Sequence, residues 1–340
     1  MSLNIQNNVS LKSYTTLQVG GPAEYFIDVD SEETLVQVVA HAQENELPIT
    51  VLGEGSNVLV SSKGTAGIVA HMALKGIDEV AEGTSVALTA AAGELLDDVV
   101  LYAGTQGYWG LENLSHIPGT VGAAPVQNVG AYGVEVKDII QSVRVYNTEI
   151  QQFEVLTAAE CGFGYRDSFF KKPEGKKYIV VSVTFMLTIS PTPQLSYKDL
   201  QNRFSESSPS LMDIRAAVIE IRATKFPNWK VVGTAGSFFK NPIIRSAKYE
   251  ELCTTYPELP GFAVGPHEVK IPLGWILDKA LHLRGEGNDK VGTYQGQALV
   301  LINKGIADSD DFIFFANDIT QKVFDATGVS IDWEVTRVGV

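Results

Sequence analysis

Apolar and polar positions change period along the chain, and those changes predict a mixture of strands and helices. Residues 23–30 read as a strand. Asp30 or Ser31 can cap a helix running to about residue 46, because Leu35, Val38, Val39 and Ala42 recur at the spacing of one helical face. Residues 48–52 make a short apolar strand and residues 86–92 another. Residues 94–103 predict a helix with Leu95, Val99 and Tyr102 turned inward. Residues 143–156 predict a hairpin around Asn147 and Thr148. The apolar run 178–189 carries Ser182, Thr184 and Thr188. It is too short to cross a bilayer as a helix and reads as a buried strand.

Residues 190–211 are rich in proline and serine and predict an exposed linker and the main boundary of the chain. Beyond it, residues 212–226 form an amphipathic helix. Residues 272–283 form another, with Pro272 in its first turn. Residues 297–303, about 308–327, and 330–335 predict a strand–helix–strand unit. The expected division is 1–72, 73–211 and 212–340.

Composition narrows the picture. A chain of 340 residues is too long for one ordinary core, and 45% hydrophobic with 19% charged residues describes a folded protein. The net charge of -14 argues against nucleic acid or an anionic membrane as partner. Yet residues 221–249 contain no Asp or Glu, and do contain Arg222, Lys225, Lys230, Lys240, Arg245 and Lys248. That stretch is either a site for a small anionic ligand or a solvated basic face. The N-terminal segment lacks an apolar signal region. The two cysteines, Cys161 and Cys253, cannot form a disulfide framework or a metal cluster alone and suit a reducing cytoplasm.

Two glycine clusters carry candidate chemistry. Gly53-Glu54-Gly55-Ser56-Asn57 follows a strand, and PGTVGAAPVQNVGAYG runs from Pro118 to Gly133. From Asn113 to Val134 only His116 can carry charge. Small residues let backbone N–H groups approach a ligand, so the pair suggests a diphosphate cradle; the alternative is two tight turns. Neither is a Walker loop or a G-x-G-x-x-G fingerprint, which excludes the usual dinucleotide fold.

GEGSNVLV at Gly53, IPGTVGAAPVQNVGAYG at Ile117, FGYRDS at Phe163 and AGSFFKNP at Ala235 resemble, in order and spacing, the UDP-N-acetylenolpyruvoylglucosamine reductase family. RATKFPNWKV at Arg222, QALVLIN at Gln297 and WEV at Trp333 extend the likeness over nearly the whole chain. The resemblance implies an α+β protein. Two FAD-binding subdomains of the p-cresol methylhydroxylase and vanillyl-alcohol oxidase type would be followed by an α/β substrate domain. It implies a cytoplasmic, monomeric flavoenzyme with non-covalent FAD and no metal. NADPH would reduce it, and it would reduce UDP-N-acetylglucosamine enolpyruvate in ping-pong order for peptidoglycan synthesis. LSYKDL, with Tyr197, resembles the loop of the subgroup that closes a tyrosine over substrate. Ala123 and Ala124 stand where many relatives have serines, Gly162 where a basic residue is common, and Arg284 where some have lysine.

By this resemblance FAD would lie on Gly53, Glu54, Gly55, Ser56, Asn57, Ile117, Pro118, Gly119, Gly122, Ala123, Ala124, Val126, Asn128, Val129 and Gly130. Tyr132, Tyr197, Lys225, Asn241, Arg284 and Gln297 would bind the UDP-sugar, Lys225 and Arg284 at its diphosphate. Arg166 would stabilise the enolate; otherwise it pairs locally with Asp167. Ser237 would donate the proton, with help from Lys225, Lys240 or Arg222; otherwise it is a turn serine. Glu334 would assist that proton; otherwise it is a strand-end carboxylate in water. Rival readings are a flavin oxidoreductase of the same superfamily with another substrate, and a flavin or nucleotide-sugar sensor without turnover.

Overall fold

The computed structural model describes residues 3–339, and within them the chain forms two compact units whose segments interleave. The first takes the chain to Val9, then Ala23–Glu54 and Ala66–Ala223. The second takes Ser10–Pro22, Gly55–Thr65 and the chain from Thr224 onward. Helices and strands are mixed without regular alternation, as an α+β class requires.

In the first unit, Ser31 starts the Glu32–Glu44 helix by accepting the Thr34 N–H at 3.1 Å. The residues this helix buries are Leu35, Val38, Val39 and Ala42, the predicted face. A four-stranded sheet runs in the order Gln6–Ser10, Pro22–Val29, Thr65–Met72, Ile49–Leu52. A five-stranded antiparallel sheet runs Gln152–Thr157, Ile140–Asn147, Tyr178–Thr188, Ser85–Ala91, Ile77–Glu82. Along Ser85–Ala91 the buried residues alternate as Val86, Leu88 and Ala90. One apolar core joins these parts through Ile27, Val38, Val99, Val143 and Phe185.

Two expectations for this unit change. The second helix is Leu96–Gln106, with Leu95 as its 37% exposed N-cap. The residues it buries are Leu96, Val99, Val100 and Ala103; Tyr102 packs half-buried against the core, as expected, and Leu95 alone of the predicted face lies outside. The segment between 190 and 211 is not all loop. It contains the Lys198–Arg203 helix, whose Leu200 is fully buried with Trp109, Tyr132, Leu211, Ile214, Ala217 and Val218. That packing holds the Leu211–Lys225 helix, and the chain passes to the second unit after Ala223.

The second unit has a three-stranded antiparallel sheet in the order Gly233–Ser237, Gln297–Asn303, Val291–Tyr294. The Ser309–Thr327 helix opens on an Asp308–Asp311 capping box and ends at left-handed Gly328. Phe238, Phe239, Ile276, Leu301 and Phe312 fill the core. The helix expected over 272–283 runs only from Leu273 and closes in a π-turn at Ile276–Ala280. The strand expected over 330–335 does not form. Trp333 makes a single bridge to Phe239, and the strand forms at Thr336–Val338, parallel to Val58–Val60. A strand lies where a partner edge is available, and this partner comes from the other end of the chain.

Candidate active site

In the first unit FGYRDS closes as a tight turn. The Gly164 N–H donates to Asp167 O at 2.9 Å and the Asp167 N–H returns to Gly164 O at 3.4 Å. Arg166 sits at the corner with φ +51°, a conformation that residues with a Cβ adopt sparingly. Its Nη2 donates to Gly130 O at 2.8 Å. Asn128 Nδ2 donates to Gly164 O and to Glu135 Oε2, both at 2.9 Å. Burial pushes Glu135 up, but its bonds from Lys137 and Asn128 and the charges of Lys137 and Arg166 hold its carboxyl below the ordinary range. Asp167 pairs with Lys172 at 2.5 Å. The turn is thus tied to the Asn128–Gly130 segment, and the sequence-predicted Arg166, Asn128 and Gly130 come together.

The glycine loops interlock within this unit. A Cβ on Gly53 would lie 2.3 Å from Thr120 Oγ1, and one on Gly122 2.7 Å from the Ala92 Cβ. The Glu54 carboxylate accepts the Gly119 N–H. Val121 and Gly122 N–H groups donate to Glu94 O and Ala92 O at 2.8 and 2.9 Å, and those of Ala123 and Ala124 to Thr120 O and Val121 O. The donors expected to cradle a diphosphate are therefore engaged inside the protein at these positions. What the loop turns outward is an uncharged surface at half-exposed Gly122 and exposed Ala123. Ile117, Pro118, Val126 and Val129 are half-buried, and Ile117, Val126 and Val129 pack against the core. Gly55, Ser56 and Asn57 belong to the second unit.

There, Gly236 takes φ +73° and inserts a bulge, after which Ser237 stands opposite Val300. The chain beyond it runs beside the C-terminal segment. The Glu334 N–H donates to Phe238 O at 2.9 Å, the Lys240 N–H to Asp332 O at 2.9 Å, and Asn57 Nδ2 to Glu334 O at 3.2 Å. Asn57, Ser237 and Glu334, distant in the chain, meet in one part of the unit. Glu334 is half-buried and not a strand-end group in open water.

The proposed substrate residues divide similarly. In the first unit, buried Tyr132 meets Tyr197 edge-on at 5.0 Å. In the second, Lys225 is half-buried at the end of its helix. Asn241 Oδ1 accepts the Leu273 N–H at 2.9 Å, and Arg284 donates to Asp278 at 2.6 Å. Gln297 Oε1 is buried with no hydrogen-bond partner among the described residues. An unsatisfied buried acceptor is costly, so this one suits a donor on a ligand. None of these residues lines the cavity of about 390 Å³ in the first unit, which is bordered by Asp30, Lys75, Arg144 and Ser182.

Sequence reasoning missed a polar group. Arg222, counted with the acid-free stretch as help for Ser237, is buried in the first unit and donates from Nε to His116 O at 2.9 Å. Arg215 is also buried, and it pairs with Asp97. The available signal was their spacing: both fall near the face of the helix that carries Ile214 and Val218.

A family model described as FAD binding domain matches residues 23–149. One described as UDP-N-acetylenolpyruvoylglucosamine reductase, C-terminal domain, matches residues 227–338. The chain is 38% identical to the UDP-N-acetylenolpyruvoylglucosamine reductase of Flavobacterium johnsoniae, over 99% of this chain and 100% of that one. It is 40% identical to the same-named protein of Neisseria meningitidis serogroup A, over 94% and 93%. The crystal structure of UDP-N-acetylenolpyruvylglucosamine reductase from Thermus caldophilus is similar with a TM-score of 0.72 and 26% identity, covering 99% of this chain and 100% of that one.

Proposed function

The chain belongs to the UDP-N-acetylenolpyruvoylglucosamine reductase family, and from that premise we propose that Arg166, Ser237 and Glu334 carry its reaction. The reaction is the NADPH-dependent reduction of UDP-N-acetylglucosamine enolpyruvate to UDP-N-acetylmuramate, in peptidoglycan precursor synthesis, with FAD as cofactor.

The residues present fit FAD in charge, through small outward-facing residues and not through the N–H groups at 121–124, which are bonded within the protein. The loop surface at Gly122 and Ala123 is uncharged, and the nearby Glu54 carboxylate is turned onto the Gly119 N–H. Gly53, Glu54 and the residues from Ile117 to Gly130 would hold it, with Gly55, Ser56 and Asn57. FAD, when bound, would supply the hydride-transfer chemistry that links NADPH to the enol ether.

The protein supplies the rest. Arg166 holds the substrate carboxylate with a planar, permanently charged fork, where charge develops as hydride adds. Ser237 delivers a proton to the neighbouring carbon, and Glu334 supports that transfer. Tyr132, Tyr197, Lys225, Asn241, Arg284 and Gln297 bind the UDP-sugar. The observation that most supports this reading is the Glu334 N–H bond to Phe238 O at 2.9 Å, which sets Glu334 beside the strand that ends in Ser237. The same reading makes the enzyme a cytoplasmic monomer acting on small molecules. Among the described residues no helix is long and apolar enough to cross a membrane.

The test is the visible spectrum of the purified protein. NADPH should bleach the flavin bands, and UDP-N-acetylglucosamine enolpyruvate should restore them. Bands that NADPH bleaches but this substrate leaves bleached would point to another substrate and overturn the reading.

A further inference from the structure

We propose that Asp97, Arg215 and Arg222 form a clamp on the His116 peptide that positions the flavin loop. This rests on the reading of residues 117–124 as an FAD-binding surface. His116 immediately precedes that surface and holds φ +58°, in the left-handed region that residues with a Cβ adopt sparingly. The peptide groups on both sides of His116 are held. Its N–H donates to Asp97 Oδ1 at 2.6 Å, and its carbonyl accepts from Arg222 Nε at 2.9 Å. Asp97 is fixed in turn by a two-point pair with Arg215, at 2.5 and 3.1 Å. Arg222 also bonds the side chain of Tyr132.

The two arginines stand two turns apart on one face of the Leu211–Lys225 helix, so a single helix presents both. Each is only 8% exposed, which argues against a role in solvent screening or in meeting substrate directly. The grip continues beyond His116: the Leu96 N–H, next to Asp97, donates to Gly119 O at 2.9 Å. Removing the Arg215 guanidinium takes away the two-point partner that orients the Asp97 carboxylate. The peptide is then free to leave the left-handed region, which would shift Ile117–Gly119 and the surface that follows. These are positioning residues, acting on the cofactor through His116.

The test uses the holoenzyme of Asp97→Asn, Arg215→Met and Arg215→Lys. FAD release on dilution is followed by flavin fluorescence, and flavin environment by visible circular dichroism. Arg215→Met should release FAD about tenfold faster or more, the equivalent of one hydrogen-bonded contact. Arg215→Lys, which keeps charge but loses the fork, should fall between it and the parent and serves if the methionine variant does not fold. The double variant Asp97→Asn with Arg215→Met should be no worse than Arg215→Met alone, because the pair acts as a unit. A lower melting temperature with unchanged FAD release and unchanged dichroism would overturn the clamp. Ala123→Asp, on the loop itself, separates the two ideas. If it leaves FAD release unchanged, the loop reading fails and the clamp with it; if it alone speeds release, only the clamp fails.

Discussion

The Gly164–Asp167 turn and the Gly233–Ser237 strand each carry one left-handed residue at or beside a side chain proposed for the reaction, but they distribute the strain differently. In the turn, Arg166 itself takes φ +51°. In the strand, Gly236 takes φ +73° and Ser237 regains the register beside it. A Cβ on Gly236 would meet nothing within 4 Å, so the backbone angle alone requires the glycine. Where strain and function share a residue, a substitution changes both. Where they sit on neighbours, each can be changed alone.

The largest effect should come from Ser237→Ala. Stopped-flow reoxidation of reduced flavin by the enolpyruvyl substrate should slow by about 10²–10⁴-fold, while reduction by NADPH is spared. Ser237→Cys should recover part of the loss. Equal slowing of both halves would mean that the bulge, not the hydroxyl, was disturbed, and the comparison would break.

Arg166→Lys comes next. It keeps the charge and loses the two-point fork, and kcat/KM should fall by about 10²-fold. Near-parent kinetics would show that the turn needs only a cation. Gly236→Ala should lower stability by about 1–2 kcal/mol, the cost of placing a Cβ in the left-handed region, read from the urea midpoint. An unchanged midpoint would show that the bulge relaxes, and would remove the contrast with Arg166.

The smallest effect concerns acid. Burial raises the Asp167 pKa, but the Lys172 bond and charge outweigh it and hold the carboxyl below its ordinary value. Protons then bind the unfolded chain more readily. Stability from this pair is present above the unfolded pKa, near 4, and is lost as pH falls through the lower folded value. Amide protection factors in the Arg166 turn, corrected for the intrinsic exchange rate at each pH, should fall over that range, and Asp167→Asn should abolish the dependence. The same pH dependence persisting in Asp167→Asn would assign it to another carboxylate, with Glu135 the next to test.

Local patterns were legible where one segment contains its own reasons. The Glu32–Glu44 helix carries its cap and its apolar face, and Gln297–Asn303 forms at its predicted bounds. The Ser309–Thr327 helix carries a capping box at one end and a glycine at the other. Prediction failed where a distant partner decided. The terminal strand lies at Thr336–Val338 and not at 330–335, because Val58–Val60 offers the edge. Within the site, FGYRDS and AGSFFKNP were visible as blocks, but Arg222 looked like part of a cationic stretch until burial placed it on His116.

The sequence by itself determined the family, the α+β class, the flavin chemistry and the identity of the candidate reactive residues, because motif order and amphipathic period are written in contiguous residues. Only the tertiary structure decided which groups those residues meet. It turned Glu54 onto Gly119, engaged the loop N–H groups internally, and set Glu334 beside Phe238. Such pairings depend on loop closure over long separations and on satisfying buried polar groups, and neither is encoded at a fixed spacing along the chain.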